Sequence, residues 1–269
     1  MRISLVIPAL DESESIQECL AAIAAQTRPF DEVILVDNGS TDGTAEVARA
    51  AAGALPLTVV AEPRAGVRWA RDRGYEVATG DVVARIDADT RLDPGWAQAV
   101  EDYFGSPGAA DAATGINFVY DGHSSKEDLV RQMGAEREPW LGGELHGANM
   151  AVRADAYRRA REFLVNRPDV HEDIDLSYAL VKAGSSIAVV PKMAVGTSAR
   201  RLRASVGSNA KYVWATVRSR WVHGDRGRAA KEAAITPLAV AALAVQRLTY
   251  VVYDRRNGRG GPARRTPLG

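Results

Sequence analysis

The sequence has almost no cysteine and no long apolar segment at its start. Cys19 is the only cysteine in 269 residues, so no internal disulfide can form. A reducing compartment is therefore expected. The apolar run at residues 3–7 is too short for a signal peptide and has no small-residue cleavage site after it. We therefore expect the protein to act in the cytoplasm.

Glycine is missing where a dehydrogenase would need it. The first predicted strand runs directly into the residues 8–12, Pro-Ala-Leu-Asp-Glu. This segment does not contain the Gly-x-Gly-x-x-Gly turn that holds a dinucleotide. Its absence argues against an NAD-type dehydrogenase, although such enzymes also use a parallel sheet with a nucleotide at its edge.

Net charge is zero overall but strongly segregated along the chain. Residues 200–269 contain 15 Lys or Arg and 3 Asp or Glu, whereas residues 1–199 contain 19 and 31. A basic end of this kind fits a polyanionic partner, either nucleic acid or an anionic membrane face. A solvated, partly disordered tail is the alternative.

The first half of the sequence alternates short β-branched runs with helical patterns. Strands are predicted at 3–7, 33–36, 57–60 and 82–86. Helices are predicted at 13–25, 41–52, 66–79 and 94–104, and a later helix and strand at 173–183 and 187–190. This alternation predicts an α/β fold with a parallel sheet covered on both faces, whose ligands bind at the carboxyl ends of the strands. Few clear elements are visible at 105–147.

Acidic residues follow three of the predicted strands. Glu12 follows the first, Asp37 the second, and Asp87, Ala88 and Asp89 the fourth. Carboxylates gathered at one sheet edge need a metal, a basic group or the hydrogen-bond donors of a ligand. Asp37 is the candidate for binding a base N–H or ribose hydroxyls. Asp87 and Asp89 are the candidates for Mg²⁺ or Mn²⁺, since these ions suit one or two carboxylates together with phosphate.

A second group of candidates lies further along the chain. Glu172 and Asp173 open a predicted helix, where the helix dipole favours acidic residues whatever their function. The functional interpretation makes Asp173 a general base that removes a proton from an acceptor hydroxyl. Upstream, Trp140, Gly147 and Asn149 lie where small residues accompany an aromatic ring. That combination suits close approach of a sugar or lipid acceptor, and a plain loop with a packed Trp is the alternative.

Taken in order, these segments resemble the family 2 glycosyltransferases, which have the GT-A fold. The matching segments cover about residues 3–200, and together they are highly specific although each alone is weak. They are Val6–Glu12, Val36–Thr44, Arg64–Gly66, Ala70–Gly74, Asp87–Asp89, Gly147–Met150 and Glu172–Asp173. The resemblance implies transfer of a sugar from a UDP- or GDP-linked donor, with inversion, to a carbohydrate or lipid-linked acceptor.

The resemblance also implies a role for individual residues. The nucleoside would be held, with Arg64 nearby, by Pro8, Ala9, Leu10, Glu12 and Asp37. The diphosphate and a divalent metal would be held by Asp87 and Asp89, with Ala88 between them. Asp173 would be the base, and Glu172 would lie on the acceptor side.

The sequence departs from the family pattern in three places. Asp11 stands where the family often has Asn, which adds negative charge near the donor. Arg200 or Arg201 stands near the place where many members have a metal-binding His, and we expect an arginine there to contact the diphosphate directly. Val217 replaces the Gln of the Gln-x-x-Arg-Trp motif of processive members. Single-sugar transfer is therefore favoured.

The expected domain organisation follows from these patterns. A GT-A catalytic domain is predicted at 1–200, with a donor half at about 1–104 and an acceptor half at about 105–200. A basic, partly helical extension is predicted at 201–256 and a disordered end at 257–269.

The apolar stretch at 233–253 is interrupted by Pro237 and has arginines on both sides. This pattern favours an interfacial helix on anionic lipid over a membrane span. The protein is thus expected to be cytoplasmic, on the inner face of the plasma membrane, with no nucleic-acid partner. Packing of the helix on the catalytic domain or at a dimer interface is the alternative.

Two other functions would use the same donor. A nucleotidyltransferase that makes sugar nucleotides usually has a glycine-rich, basic first loop, which is missing here. A non-catalytic sugar-nucleotide-binding protein at a membrane surface would not need both Asp-x-Asp and Glu-Asp intact.

Overall fold

The computed structural model describes residues 1–120 and 138–256. Within these residues the chain forms nine strands and eight α-helices. The strands are β1 (Ile3–Ala9), β2 (Glu32–Asp37), β3 (Leu57–Ala61), β4 (Val82–Arg85), β5 (Arg91–Leu92), β6 (Ala112–Val119), β7 (Trp140–Leu141), β8 (Met150–Arg153) and β9 (Ile187–Thr197). The helices are α1 (Ile16–Ala24), α2 (Thr44–Ala51), α3 (Val67–Val77), α4 (Trp96–Gly105), α5 (Ala154–Ala160), α6 (Glu172–Lys182), α7 (Val206–Val222) and α8 (Arg226–Arg256).

All of these strands belong to one sheet. Its order is β3-β2-β1-β4-β8-β6-β9-β5, with β7 paired to β9. The strands β3, β2, β1 and β4 are parallel to one another, as the strand–helix alternation predicts. However, β8 is antiparallel to both β4 and β6. The strands β5 and β7 are also antiparallel to β9, whereas β6 is parallel to β9. The parallel sheet predicted from the first half of the chain is therefore correct for β1 to β4, and antiparallel pairs appear only where later strands join it.

Apolar side chains cover both faces of the sheet, as predicted. Ile7 and Leu35 join a cluster with Leu20 of α1 on one face, and Val6 and Ile34 join a cluster with α3, α5 and α6 on the other. Neighbouring residues of one strand point to opposite faces, which is why consecutive apolar residues are needed in β1 and β2. These two clusters hold the strands in place from both faces of the sheet.

One glycine allows α3 to pack directly on the sheet. A Cβ added at Gly74 would lie 2.2 Å from Val6 Cγ1. Glycine is therefore required at position 74, because a larger residue would clash with Val6 and keep α3 from packing closely on β1.

The chain divides into two compact units. The first contains Met1–Leu164 and Leu176–Ser198, and hence the whole sheet. The second contains Val165–Asp175 and the chain from Ala199 onward, including a 3₁₀ turn at Ala199–Arg203, α7 and α8. These helices confirm the prediction of a helical C-terminal region. The predicted disordered end at 257–269 lies outside the described residues.

Candidate active site

The carboxyl ends of β1 and β2 lie side by side. Ala9 pairs with Asp37 in the parallel register, and Asp37 pairs with Ala61 of β3. Pro8 and Ala9 are buried in the sheet, and Leu10 is half-buried just beyond it. The structure thus brings the predicted nucleoside-binding residues of the first two strands to one edge.

Glu12 and Asp37 each have a defined position at this edge. The Glu12 N–H donates to Thr44 Oγ1 at 2.8 Å, which ties the loop after β1 to the start of α2. Asp37 Oδ1 accepts the Ser40 N–H at 3.0 Å. This bond holds the Asp37 carboxylate in a turn. Since Asp37 is only half-buried, the residue still reaches solvent.

Asp11, which departs from the family pattern, bridges the two loops. Its backbone is left-handed, with a φ of 53°. Its carboxylate accepts the Thr41 N–H at 2.8 Å, and its own N–H donates to Ser40 Oγ at 3.0 Å. The extra negative charge therefore belongs to the loop after β1 and lies against the loop that follows Asp37.

Asp42 holds the other side of the same loop. It accepts the N–H groups of Ser13 and Thr44, each at 3.0 Å. Burial alone would raise the pKa of Asp42, but hydrogen bonds from Thr44 and Ser13 outweigh it and lower the pKa to about 2. The loop is consequently held by an ionised carboxylate at neutral pH.

Asn38 positions the loop that carries Arg64. Its Nδ2 donates to the backbone oxygens of Glu62 and Arg64 at 2.8 and 2.7 Å, and its Oδ1 accepts the Gly66 N–H at 2.8 Å. Sequence reasoning did not single out Asn38. The signal for it was weak, because its partners lie 24–28 positions away in the sequence.

Arg64 itself is half-exposed and preorganised. Its Nε and Nη2 donate to the two carboxylate oxygens of buried Glu62 at 2.7 and 2.8 Å. Hydrogen bonds from Arg64 lower the pKa of Glu62 to about 2, against the opposing effect of burial. Arg64 Cζ also lies 4.2 Å from the ring centroid of Trp69. A guanidinium held in this way suits an anionic ligand.

Asp87, Ala88 and Asp89 form a turn directly after β4. Ala88 is buried and both aspartates are partly exposed. Asp87 Oδ1 accepts Nη2 of buried Arg85 at 3.2 Å, and the Asp87 side chain is 44% exposed. Since β4 is parallel to β1, this turn lies at the same sheet edge as Asp37.

Gly147 makes room for the Arg85 side chain. A Cβ at this position would lie 3.0 Å from both Nη1 and Nη2 of Arg85. Gly147 was predicted to allow close approach of an acceptor, and the structure gives its small size a further reason. Its contact with Arg85 helps to place the guanidinium beside Asp87.

Asn149 is fully buried at the centre of the sheet. Its Oδ1 accepts Trp96 Nε1 at 2.9 Å, and its Nδ2 donates to the Met193 oxygen at 2.8 Å and to Asn117 Oδ1 at 3.0 Å. The side chain therefore joins β6, β8 and β9. Asn149 thus has a structural role at this junction, and its contact with an acceptor remains a prediction.

The other predicted residues lie in different places. Trp140 lies in β7, where it pairs with Val189. Glu172 and Asp173 occupy the first turn of α6 and are half-buried, and Arg200 lies in the 3₁₀ turn before α7. These last three belong to the second unit, whereas the residues at the strand ends belong to the first.

The carboxylates of Asp87 and Asp89 can hold a hard divalent cation only together with a bound ligand. Among residues 1–120 and 138–256, no group of three or more His, Cys, Asp or Glu is arranged to hold a metal. Asp87 and Asp89 supply carboxylate oxygens of the kind that Mg²⁺ and Mn²⁺ bind alongside phosphate and water. The residues present therefore fit an ion that shares its coordination with a diphosphate.

A sequence model of the glycosyl transferase family 2 matches residues 4–160 of this chain, more than half of its length. The chain belongs to this family. Membership makes the protein a transferase enzyme and confirms the resemblance carried by its motifs. The match ends before α6, so it covers Asp37 and the Asp87–Asp89 turn and not the Glu172–Asp173 pair.

Named relatives are consistent with the family 2 assignment. The glycosyltransferase AglE of Haloferax volcanii is 28% identical over 225 residues, which cover 79% of this chain and 74% of that protein. An undecaprenyl-phosphate 4-deoxy-4-formamido-L-arabinose transferase of Pectobacterium carotovorum is 30% identical over 172 residues, 61% of this chain and 50% of that one. The uncharacterized glycosyltransferase YibD of Escherichia coli is 35% identical over 94 residues, 35% and 27% of the two chains. This chain thus spans half or less of these two bacterial relatives.

Solved structures confirm the GT-A fold of this family 2 glycosyltransferase. The mannosyltransferase PcManGT of Pyrobaculum calidifontis, solved with GDP-Man and Mn²⁺, has a TM-score of 0.64 at 23% identity, covering 99% of this chain and 77% of that one. TarS of S. aureus, residues 1–349 with UDP, has a TM-score of 0.55 at 16% identity, covering 81% and 65%.

Proposed function

We propose that this glycosyltransferase moves a single sugar from a UDP- or GDP-linked donor to an acceptor hydroxyl, with inversion at the anomeric carbon. The observation that carries the proposal is the convergence of Asp37, Arg64 and the Asp87–Asp89 turn at the carboxyl edge of the parallel strands. Ligands of such sheets bind at this edge. The ligands named for PcManGT and TarS are of the same chemical class.

The nucleoside is assigned to the ends of β1 and β2. The residues proposed to hold it are Pro8, Ala9, Leu10, Glu12 and Asp37. The Asp37 carboxylate accepts hydrogen bonds from the base or from ribose hydroxyls, and its turn keeps it in place for this task. Arg64, held in a fixed orientation by Glu62, is proposed to lie near the nucleotide.

The diphosphate is assigned to the turn after β4. Asp87 and Asp89 would hold Mg²⁺ or Mn²⁺, with the buried Ala88 between them. When bound, such an ion supplies compensation for the charge that develops on the departing diphosphate. Arg200 is proposed to contact the diphosphate as well, where other members use a histidine.

The acceptor is assigned to the residues after β6. Asp173 is proposed to take the proton of the acceptor hydroxyl as it attacks the anomeric carbon, while the bond from that carbon to the diphosphate breaks. Trp140, Gly147 and Glu172 are proposed to lie on the acceptor side. A lipid-linked acceptor is supported by the undecaprenyl-phosphate transferase among the relatives.

A ligand-stability screen tests the donor assignment. The protein would be heated with UDP, GDP, UDP-glucose, UDP-N-acetylglucosamine or GDP-mannose, each with and without Mn²⁺. We expect one nucleotide series to stabilise the protein, by about 2.7 kcal/mol at a concentration of 100 Kd. Dinucleotides serve as the control. Stabilisation by none of the nucleotides, in either metal condition, would contradict the proposal.

Turnover of the stabilising donor separates the enzyme from the two alternatives. A glycosyltransferase releases the nucleoside diphosphate from its donor, slowly to water or faster to an acceptor. A nucleotidyltransferase would instead form the sugar nucleotide from a sugar phosphate and a nucleoside triphosphate. A binding protein would be stabilised and release nothing.

We also propose that α8 docks on an anionic membrane surface. Arg226–Leu248 is long and apolar enough to cross a membrane by length and composition. Its apolar side chains Ile235, Leu238, Val245 and Leu248 are 60–74% exposed. They are spaced by three and seven positions and so lie on one face of the helix. Arginines before and after this stretch suit anionic headgroups, which favours a surface position over a span.

Vesicle sedimentation tests this docking with the full chain. We expect binding to vesicles with 30% anionic lipid at low salt and release at high salt, because the Debye length shrinks from roughly 10 Å at 0.1 M to 3 Å at 1 M. Leu238→Gln with Val245→Gln should weaken binding at least about tenfold, since each buried apolar side chain contributes roughly 1.5–3 kcal/mol.

The matched control is Val181→Gln, which alters an equally exposed apolar residue on α6. It should bind like the unaltered protein. Retention of the protein on vesicles in 1 M salt would contradict a surface position and favour a span. Equal binding by all three proteins would contradict the assignment of the α8 face.

A further inference from the structure

A buried carboxylate–imidazole pair anchors the segment that carries the proposed base. His223 Nε2 donates to Asp175 Oδ1 at 2.7 Å, and both side chains are at most 1% exposed. Asp175 also accepts the N–H groups of Val165 and Asn166 at 3.0 and 2.9 Å. Burial would raise the pKa of Asp175, but the hydrogen bond from His223 and the two backbone bonds outweigh it and lower the pKa. The pair belongs entirely to the second unit.

A second histidine makes an independent anchor at the start of the same helix. The His171 N–H donates to Ser219 Oγ at 2.8 Å, and its Nε2 donates to the Tyr212 oxygen at 2.9 Å. The Ser219 hydroxyl in turn donates to the Ala215 oxygen at 2.8 Å. The His171 and Tyr212 rings meet edge to face, with centroids 4.3 Å apart. His171 is therefore fixed through both its backbone and its ring.

The contacts to His171 and Asp175 come from one side of α7. Tyr212 and Ser219 are seven positions apart on one face of α7, and His223, four positions after Ser219, caps the helix on the same side. On the other side, the Asp175 N–H donates to the His171 oxygen at 2.9 Å, so the helical turn begins at His171. Asp173 lies two positions from each of these anchors. At 100° per residue, it points away from the face that is held.

We propose that His223 and His171 are positioning residues that fix the orientation of Asp173 by clamping the first turn of α6 onto α7. The inference rests on the proposed role of Asp173 as the base. Neither histidine needs to touch substrate for this task. A base must be held within hydrogen-bond reach of its proton, and a misplacement of about 1 Å can cost roughly 100-fold in rate.

The test compares His223→Leu, His223→Gln and a matched control. Leucine removes the hydrogen bond to Asp175, whereas glutamine keeps an N–H donor without the imidazole. The control is Ser205→Ala, which removes the N-cap of α7, whose Oγ accepts the Ser208 N–H at 3.1 Å. It weakens the same helix and leaves the clamp intact.

Each variant is measured in two ways. The first is turnover with the donor selected by the stability screen, and the second is hydrogen–deuterium exchange of residues 165–176. His223→Leu should lower kcat about 10–100-fold, change the donor KM less than about twofold, and speed exchange in this segment. His223→Gln should recover kcat to within about fivefold of the unaltered protein. Ser205→Ala should leave kcat within about twofold even though it lowers thermal stability.

The outcomes separate this proposal from the proposed function. If Asp173→Asn is slow but His223→Leu turns over normally, the clamp is wrong and the base stands. If Asp173→Asn turns over normally, the base is wrong, and the clamp with it. Should His223→Leu fail to fold, it is replaced by Ser219→Ala, which removes the acceptor for the His171 N–H together with the hydroxyl's own bond to the Ala215 oxygen. The same split between kcat and KM is expected.

Discussion

Replacing Asp89 with Ala is expected to abolish metal-dependent sugar transfer. The side chain is one of two proposed carboxylate ligands of the ion that compensates the leaving diphosphate. A metal in this role is worth several kcal/mol of transition-state stabilisation, so turnover should fall by at least about 100–1000-fold. Donor turnover would be measured across a Mn²⁺ titration and in EDTA.

The fold of the turn should survive this change. The Tyr120 hydroxyl donates to the backbone oxygen of Asp89 at 3.1 Å, and the Thr90 N–H donates to the Asp87 oxygen at 3.0 Å. Neither bond uses the Asp89 side chain. Loss of activity without loss of thermal stability would therefore be a chemical effect.

A carboxylate elsewhere controls for loss of charge. Asp102 Oδ1 accepts Gln98 Nε2 at 2.8 Å on the exposed side of α4. Asp102→Ala should turn over like the unaltered protein, with the same Mn²⁺ requirement. Activity that survives both EDTA and Asp89→Ala would rule out Asp87 and Asp89 as the metal site.

The polar residues at the carboxyl ends of the parallel strands could be located from the sequence because their signals are local. A strand buried on both faces appears as a continuous apolar run, and the polar residue that follows it must lie at the sheet edge. Asp37 and the Asp87–Asp89 turn were found from this pattern alone. Their neighbours in the register, such as Ala9 opposite Asp37, then bring them together.

A strand was predicted at 187–190, within β9, but β6 could not be predicted for the converse reason. β6 contains Thr114, Gly115 and Asn117, which give a weak strand pattern, and its partners are distant in the sequence. A Cβ at Gly115 would lie 1.7 Å from the Met193 oxygen, so this glycine is demanded by close pairing with β9. Tertiary packing decided this strand against its local propensity.

Buried polar partners were also hidden from sequence reasoning. Arg85 is the charged residue in the otherwise apolar run at 82–86. No residue near it in the sequence indicates that its guanidinium pairs with Asp87 and lies beside Gly147. Asp175 and His223 are 48 positions apart. Asp173 was predicted from its place at a helix start, and no local pattern indicates the residues that hold that start in place.

Asp173→Asn provides the most direct test of the proposed base. Asparagine has the same shape, but it cannot accept the proton of an acceptor hydroxyl. Turnover should fall by roughly two to four orders of magnitude, the usual contribution of a positioned base. Binding of UDP or GDP, measured by titration with Mn²⁺ present, should stay within about twofold.

The helix start should tolerate this substitution. Asp173 Oδ1 accepts the Ile174 N–H at 2.8 Å, and the Asn side-chain oxygen can accept the same bond. The anchors made by His171 and Asp175 do not involve the Asp173 side chain. Glu162→Gln, which neutralises an exposed carboxylate outside the helix, is the matched control and should keep full turnover.

Whether Asp173→Asn lowers kcat or nucleotide affinity shows which role Asp173 has. A base acts only as the acceptor attacks, so its loss appears in kcat while the nucleotide still binds. If nucleotide affinity collapses and turnover at saturation is unchanged, Asp173 belongs to the donor site. In that case the proton acceptor must be sought elsewhere, first at Glu172, the other carboxylate at this helix start, and Glu172→Gln would then carry the loss of turnover.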